Sequence, residues 1–283
     1  MALGATRRQV LGSVLAAYGI AAAPAAKGVT RYVRFKAKTG APAWGLLEGE
    51  SIRRLKGDLF GKHEAAGSAI KLADVTLLAP AEPPKVFAVG LNYKSHLGAR
   101  PAPTQPEIFY KPITCLQDPG APILIPKNAA NVHYEGELVL VIGKRLSGAT
   151  KEQAIEGIFG VTCGNDVSER DWQNGAQKDL QWWRAKGADT FGPCGPVIVR
   201  GIDYNKLLLQ TRLNGEVVQK QFTSDLLFGP AAIVSYISQN VVLQPGDLVY
   251  TGTPGSTKKM SPGDTVEIDI EGIGVLKNKV AAG

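Results

Sequence analysis

Apolar residues in this chain gather in short continuous runs far more often than in helical stripes. The run Leu138-Val139-Leu140-Val141-Ile142 reads as a buried strand. Similar strand-like segments recur at 31–35, 85–89, 197–200, 207–213, 248–251 and 265–270. The stretch Ile158-Phe159-Gly160-Val161-Thr162-Cys163-Gly164 predicts another strand, ending at Asp166, with a helix opening just after it. Helical periodicity is rarer. Residues 151–156 begin a helix behind the candidate cap Thr150. A second helix over 228–239 has Ala231, Ile233, Val234, Tyr236 and Ile237 as its apolar positions. Pro80-Ala81-Glu82-Pro83-Pro84 is the natural break between two units. The pattern predicts a β-dominated α/β protein, with a small N-terminal domain over 27–80 and a larger domain over 81–283.

Length and composition support that picture. A chain of 283 residues can bury a full core, and 33 Gly with 18 Pro suit a loop-rich β enzyme better than a helical bundle. Residues 1–26 stand apart. Arg7-Arg8 precede a weakly apolar stretch from Val10 to about Ala23, followed by Pro24-Ala25-Ala26. A basic start, a short apolar core and small residues at the end predict an export signal of the twin-arginine type, too short to span a membrane comfortably. That implies a periplasmic protein with no stable membrane span after signal removal; without export it would be cytoplasmic. Losing Arg7 and Arg8 lowers the net charge from +7 to +5. The remaining positive charge is spread along the chain, which suits a small anionic substrate, and no nucleic-acid motif is present.

The chemistry concentrates at Glu135-Gly136-Glu137, at the mouth of the apolar run. Side chains alternate along a strand, so the two carboxylates project on one side. Two buried carboxylates repel and are costly to desolvate unless a cation compensates them. A hard divalent ion, Mg²⁺ or Mn²⁺ with Ca²⁺ as a further candidate, is the natural partner for oxygen ligands. Asp166 is a candidate third ligand that would also sit near a helix N-terminus. Arg170 and Gln173 follow at offsets that put both on one helix face, looking toward the same site.

Several motifs, in order and from about residue 85 onward, resemble the fumarylacetoacetate hydrolase family. They are Gly90-Leu91-Asn92-Tyr93-Lys94-Ser95-His96, Tyr134-Glu135-Gly136-Glu137-Leu138, Asn165-Asp166-Val167-Ser168 with Arg170, Asp171 and Gln173, and Lys186-Gly187-Ala188-Asp189 with Thr190-Phe191-Gly192. Leu213-Asn214-Gly215-Glu216, Thr223-Ser224-Asp225, Pro245-Gly246-Asp247 and Thr251-Gly252-Thr253-Pro254 complete the set. Residues 30–80 resemble that family's small N-terminal domain more weakly, through Trp44-Gly45-Leu46-Leu47-Glu48-Gly49.

The resemblance implies a mixed β-sandwich roll as catalytic domain, and usually a homodimer. It implies that Glu135, Glu137 and Asp166 bind the metal, that Lys186 stabilises developing negative charge, and that His96 is the general base. Arg170, Gln173 and Thr253 would bind substrate. The expected reaction is metal-dependent C–C hydrolysis of a small 2-oxo or 1,3-dicarbonyl carboxylate of the acylpyruvate or fumarylpyruvate type, through an enolate held on the metal.

One departure weighs against hydrolysis. Many hydrolytic and decarboxylating members of the family carry a glutamate three residues after the histidine, and here that position is Ala99. An imidazole without an orienting carboxylate is a poorer base for activating water. Oxaloacetate decarboxylation, isomerisation or tautomerisation, and a ureidoglycolate-type lyase reaction need no such water. The next acid, Glu107, lies beyond the proline-rich stretch of Pro101, Pro103 and Pro106, a candidate lid. A non-catalytic metal-stabilised binding protein is a further reading, against which Arg170, Gln173 and Lys186 speak. Cys115, Cys163 and Cys194 form no disulfide framework or zinc spacing; Cys163 reads as a core residue and Cys194 as a pocket-lining one. Trp172, Trp182 and Trp183 read as packing around the helix and lid. Phosphate-loop, nucleophile-elbow and dinucleotide motifs are missing.

Overall fold

The computed structural model describes Ile20 and residues 28–283, so the expected export signal lies, Ile20 apart, outside the described residues. Five strands come first: β1 (Thr30–Ala37), β2 (Ala43–Glu48), β3 (Ser51–Gly57), β4 (His63–Lys71) and β5 (Val75–Leu78). β1 buries Val33 and Phe35 on one face and Tyr32 on the other, leaving Arg34 and Lys36 more exposed. After the prolines at 80–84 come β6 (Val86–Gly90), β7 (Glu107–Lys111), β8 (Leu116–Gln117), β9 (Ile123–Ile125), β10 (Val132–His133) and β11 (Gly136–Ile142). Helix α1 (Lys151–Gly157) leads into β12 (Ile158–Asn165), β13 (Ser168–Glu169) and the short helix α2 (Arg170–Asn174). β14 (Gly192–Arg200), β15 (Leu208–Leu213), β16 (Glu216–Phe222), α3 (Pro230–Ser238), β17 (Leu248–Tyr250), β18 (Thr265–Ile270) and β19 (Gly274–Ala282) complete the chain.

The strands form two principal sheets. The larger runs β4-β3-β2-β1-β14-β12-β11-β17-β6-β7, with β5 added on β1 and β8 on β14; the smaller runs β16-β15-β18-β19-β9. Because β1 pairs antiparallel with β14, the N-terminal strands extend the same sheet that carries the centre of the molecule. Every residue of β11 is buried, the result expected of an apolar strand with neighbours on both edges and layers on both faces. The core between the layers gathers Leu138 and Leu140 of β11 with Val161, Leu209, Ile268 and Leu276.

The helix after Thr150 carries a full capping box: Thr150 accepts from the Gln153 amide, and Gln153 reaches back to the Thr150 N–H. The helix after Asp166 starts later than the residue pattern predicts. β12 ends at Asn165, and the cap of α2 is Glu169, whose carboxylate accepts from Trp172 N at 2.6 Å. Asp166 is thereby freed from capping and turned toward lysines. No helix among the described residues is long and apolar enough to cross a membrane.

Candidate metal centre and active site

The site forms where β11 begins and β12 ends. Gly136 and Asn165 are register partners, the Asp166 N–H donates to the Glu135 carbonyl at 2.9 Å, and Asn165 Oδ1 accepts from Glu135 N at 2.8 Å. This pins Glu135 and Asp166 opposite each other, and strand alternation brings Glu137 to the same side. The three buried carboxylates offer ligand atoms within 4.8 Å of one another. Gly136, between the glutamates, has no room for a side chain: a Cβ there would overlap Thr211 Oγ1 and stand 3.0 Å from Ile268 Cδ1.

Cations surround two of the three acids. Lys186 Nζ donates to Glu135 Oε2, and to Asp166 Oδ2 at 2.8 Å. Arg170 donates to Glu135 Oε1 at 2.6 Å, to Thr257 Oγ1 at 2.8 Å and to Gln173 Oε1 at 2.7 Å. Burial opposes ionisation of Glu135, but Lys186, Arg170 and His96 together hold it well below the usual carboxylate range. Glu137 goes the other way: burial, then the charges of Asp166 and Glu135, push it well above that range. Its Oε2 accepts the Gly252 N–H at 2.7 Å. An all-carboxylate donor set with one member short of positive charge fits a hard divalent cation.

His96 sits in a 3₁₀ turn behind β6, its Nε2 3.8 Å from Glu135 Oε1. Its Nδ1 meets the Gly255 carbonyl, which can only accept, so Nδ1 donates there and Nε2 is the nitrogen turned toward the carboxylates. Asn92 holds the turn ahead of it. The Asn92 amide donates to Thr251 O at 2.7 Å and Phe228 O at 3.0 Å, and its oxygen accepts from Phe228 N at 2.8 Å.

His96, Arg170, Gln173, Lys186 and Thr253 all line one cavity of about 480 Å³ with Glu135 and Glu137. Arg100, Ser95, Trp182, Ser256 and Thr257 join them. The Thr253 hydroxyl is engaged inside the protein, donating to Gly136 O and accepting from Gln219 Nε2, each at 2.9 Å. Glu107 lines a neighbouring cavity of about 910 Å³, with Trp182 common to both. Cys194, expected at the pocket, is instead packed in the core beside Tyr250, where burial lifts its thiol to about 12. Among the tryptophans, Trp172 is buried at 6% exposure as packing requires, but Trp183 is 65% exposed.

The residue pattern gives no hint of Lys111, the last residue of β7. It is wholly buried, with Nζ 2.6 Å from Asp166 Oδ1, 3.2 Å from Phe191 O and against the Lys186 carbonyl. Burial alone would discharge it, but Asp166 keeps it charged. His133 was also missed. Burial, reinforced by the Arg170 charge, lowers it to about 4, so it is neutral near pH 7. It accepts at Nδ1 from the Thr257 hydroxyl at 2.9 Å, which in turn accepts from Arg170.

Comparison with known proteins agrees with this arrangement. The profile described as Fumarylacetoacetate (FAA) hydrolase C-terminal matches residues 85–281, and one described as Rv2993c-like, N-terminal matches residues 30–80. Protein Rv2993c of Mycobacterium tuberculosis is 48% identical over 227 residues, 78% of this chain and 84% of its own. The Bos taurus protein named oxaloacetate tautomerase FAHD2A, mitochondrial, is 38% identical over 221 residues, 74% of this chain and 70% of its own. The crystal structure described as 2-hydroxyhepta-2,4-diene-1,7-dioate isomerase from Mycobacterium marinum superposes with a TM-score of 0.83 at 43% identity. That match covers 89% of this chain and 98% of the other. The chain belongs to the fumarylacetoacetate hydrolase family.

Proposed function

We propose that this family member is an isomerase that moves a proton between carbon and oxygen of a small 2-oxo dicarboxylate, interconverting enol and keto forms of an oxaloacetate-like acid. The observation that carries the reading is His96. Its Nε2 faces the carboxylate trio, while its Nδ1–H is oriented by a backbone carbonyl where a water-activating dyad would need a carboxylate. Position 99 is alanine, and Glu107 belongs to the neighbouring cavity. Moving a proton asks for one positioned base; orienting a hydrolytic water asks for a second group as well. The names borne by the bovine relative and by the M. marinum structure favour the same class of reaction.

Glu135, Glu137 and Asp166 would hold Mg²⁺ or Mn²⁺, which when bound supplies Lewis-acid polarisation of the substrate's carbonyl and carboxylate oxygens. The chain's own residues do the rest. In the keto-to-enol direction, His96 Nε2 takes a proton from the carbon beside the carbonyl. The C–H electron pair becomes the C=C bond, and the carbonyl oxygen gains the charge. The Lys186 ammonium stabilises that oxygen, and His96 then delivers its proton there. Arg170, held by Gln173 and Thr257, and Arg100 at the rim favour a dianionic substrate.

The test follows enol absorbance of oxaloacetate with Mg²⁺ or Mn²⁺, beside product analysis on an acylpyruvate. Faster loss of enol with the oxo acid conserved supports isomerisation. Two acids from the acylpyruvate would reject it in favour of hydrolysis, and pyruvate from oxaloacetate would reject it in favour of decarboxylation.

A further inference from the structure

We propose that Gln219 is a positioning residue that locks the loop 252–254 onto the strand start carrying Glu135 and Glu137, and so sets the metal affinity of the site. This rests on reading the three carboxylates as a divalent-metal site. Gln219 lies on β16, in the smaller sheet, and is buried at 4% exposure. Its side chain crosses between the sheets and makes three bonds. Oε1 accepts the Gly136 N–H at 3.2 Å; Nε2 donates to Thr253 Oγ1 at 2.9 Å and to Pro254 O at 2.6 Å. The Thr253 hydroxyl donates to Gly136 O at 2.9 Å. The bonds close a ring from Gly136 N–H through Gln219 and Thr253 back to Gly136 C=O.

The ring has consequences at both glutamates because Gly136 is their common neighbour. The loop it fixes also carries Gly252, whose N–H holds Glu137 Oε2 at 2.7 Å. A shift of the loop therefore moves Glu137, the ligand whose charge is least compensated by protein cations. A Cβ at Gly136 would overlap Thr211 Oγ1 but stand 3.4 Å, an ordinary contact, from Gln219 Oε1. Only a side-chain amide offers an acceptor and two donors on one rigid plane. Methionine of similar length supplies none of them. An ionised glutamate would set an oxygen against the Pro254 carbonyl.

Mn²⁺ binding to the full chain, followed by the electron paramagnetic resonance signal of the free ion, tests the inference without turnover. Gln219→Met is expected to weaken Mn²⁺ binding about tenfold, the size typical of lost support around a ligand set. At saturating Mn²⁺ it should raise KM for the oxo acid more than it lowers kcat. Thr253→Val should weaken Mn²⁺ in the same direction. The double variant should bind no more weakly than Gln219→Met, because the ring is already open. Parental Mn²⁺ affinity in folded Gln219→Met, or losses that add in the double variant, would overturn the proposal. If Gln219→Met does not fold, Thr253→Val carries the test, and parental Mn²⁺ affinity there overturns it. A parent whose Mn²⁺ binding is absent or unchanged by Glu137→Gln would instead overturn the metal reading itself.

Discussion

The Lys186 ammonium lies 2.8 Å from Asp166 Oδ2, a buried cation on a buried carboxylate, and the same nitrogen also reaches Glu135. Lysine thus stands between two of the three acids that would hold the metal. It compensates them in the metal-free protein, lines the cavity beside them, and under the proposed function would meet a charged substrate oxygen.

Replacing Lys186 with Met separates these roles. Turnover should fall by about 10²–10³, the loss typical of a removed oxyanion donor. The metal-free protein should melt earlier, because Glu135 and Asp166 lose a buried partner, an effect of about 3–5 kcal/mol for a broken buried pair. Mn²⁺ should still bind and should restore more stability to the variant than to the parent. Calorimetry with and without Mn²⁺ checks both parts. Lost Mn²⁺ binding would contradict the assignment of Lys186 to charge stabilisation.

Glu137 makes the metal-free protein sensitive to pH in a defined direction. Its carboxyl is pushed well above the ordinary 4.5, so the folded chain keeps a proton that the unfolded chain has released. Stability therefore falls as pH rises from that value through the folded-state pKa, by at most about 1.4 kcal/mol per unit for one proton. Glu135, held below the usual range, contributes the opposite sign, and its share is lost only in strong acid. Cation loading needs ionised Glu137 and should release its proton. Calorimetric titration of Mn²⁺ in buffers of different ionisation enthalpy should detect that release, and Glu137→Gln should abolish it.

Restoring the absent acid should redirect the chemistry. Ala99→Glu places a carboxylate three residues after His96, and cleavage of an acylpyruvate into two acids should rise at least about tenfold over the parent, a fraction of what a positioned base contributes. His96→Asn should lower enol–keto exchange by about 10²–10⁴ with a smaller change in KM. An Ala99→Glu protein with parental hydrolysis would show that water orientation is not what separates the two reactions here.

Gly136 of the larger sheet packs directly against Thr211 and Ile268 of the smaller one. Gly136→Ala forces its methyl into Thr211 Oγ1 and toward Ile268. The expected cost is about 1–3 kcal/mol of stability, as for other overpacked cores. Mn²⁺ affinity should fall with it, since both neighbouring glutamates move. Pairing Gly136→Ala with Thr211→Ser, which keeps the hydroxyl, should leave the defect in place, whereas Thr211→Ala should relieve part of it in a melting experiment.

Neighbouring residues alone determined much of this protein. Alternation put Glu135 and Glu137 on one side of a strand, the apolar run 138–142 announced a strand buried on both faces, and Thr150 with Gln153 wrote its own helix start. These are properties of a few adjacent residues, so they are readable before the chain folds. Tertiary structure decided which charge meets which. Asp166 resembled a helix cap until Glu169 took that place and Lys111, 55 residues away in sequence, took Asp166. Gln219 reaches Gly136 across 83 residues, and Glu107 is turned to the neighbouring cavity. Nothing in the spacing of those residues encodes such meetings. They follow from how two sheets pack, because a buried polar group takes whichever partner the closed fold brings within hydrogen-bond reach.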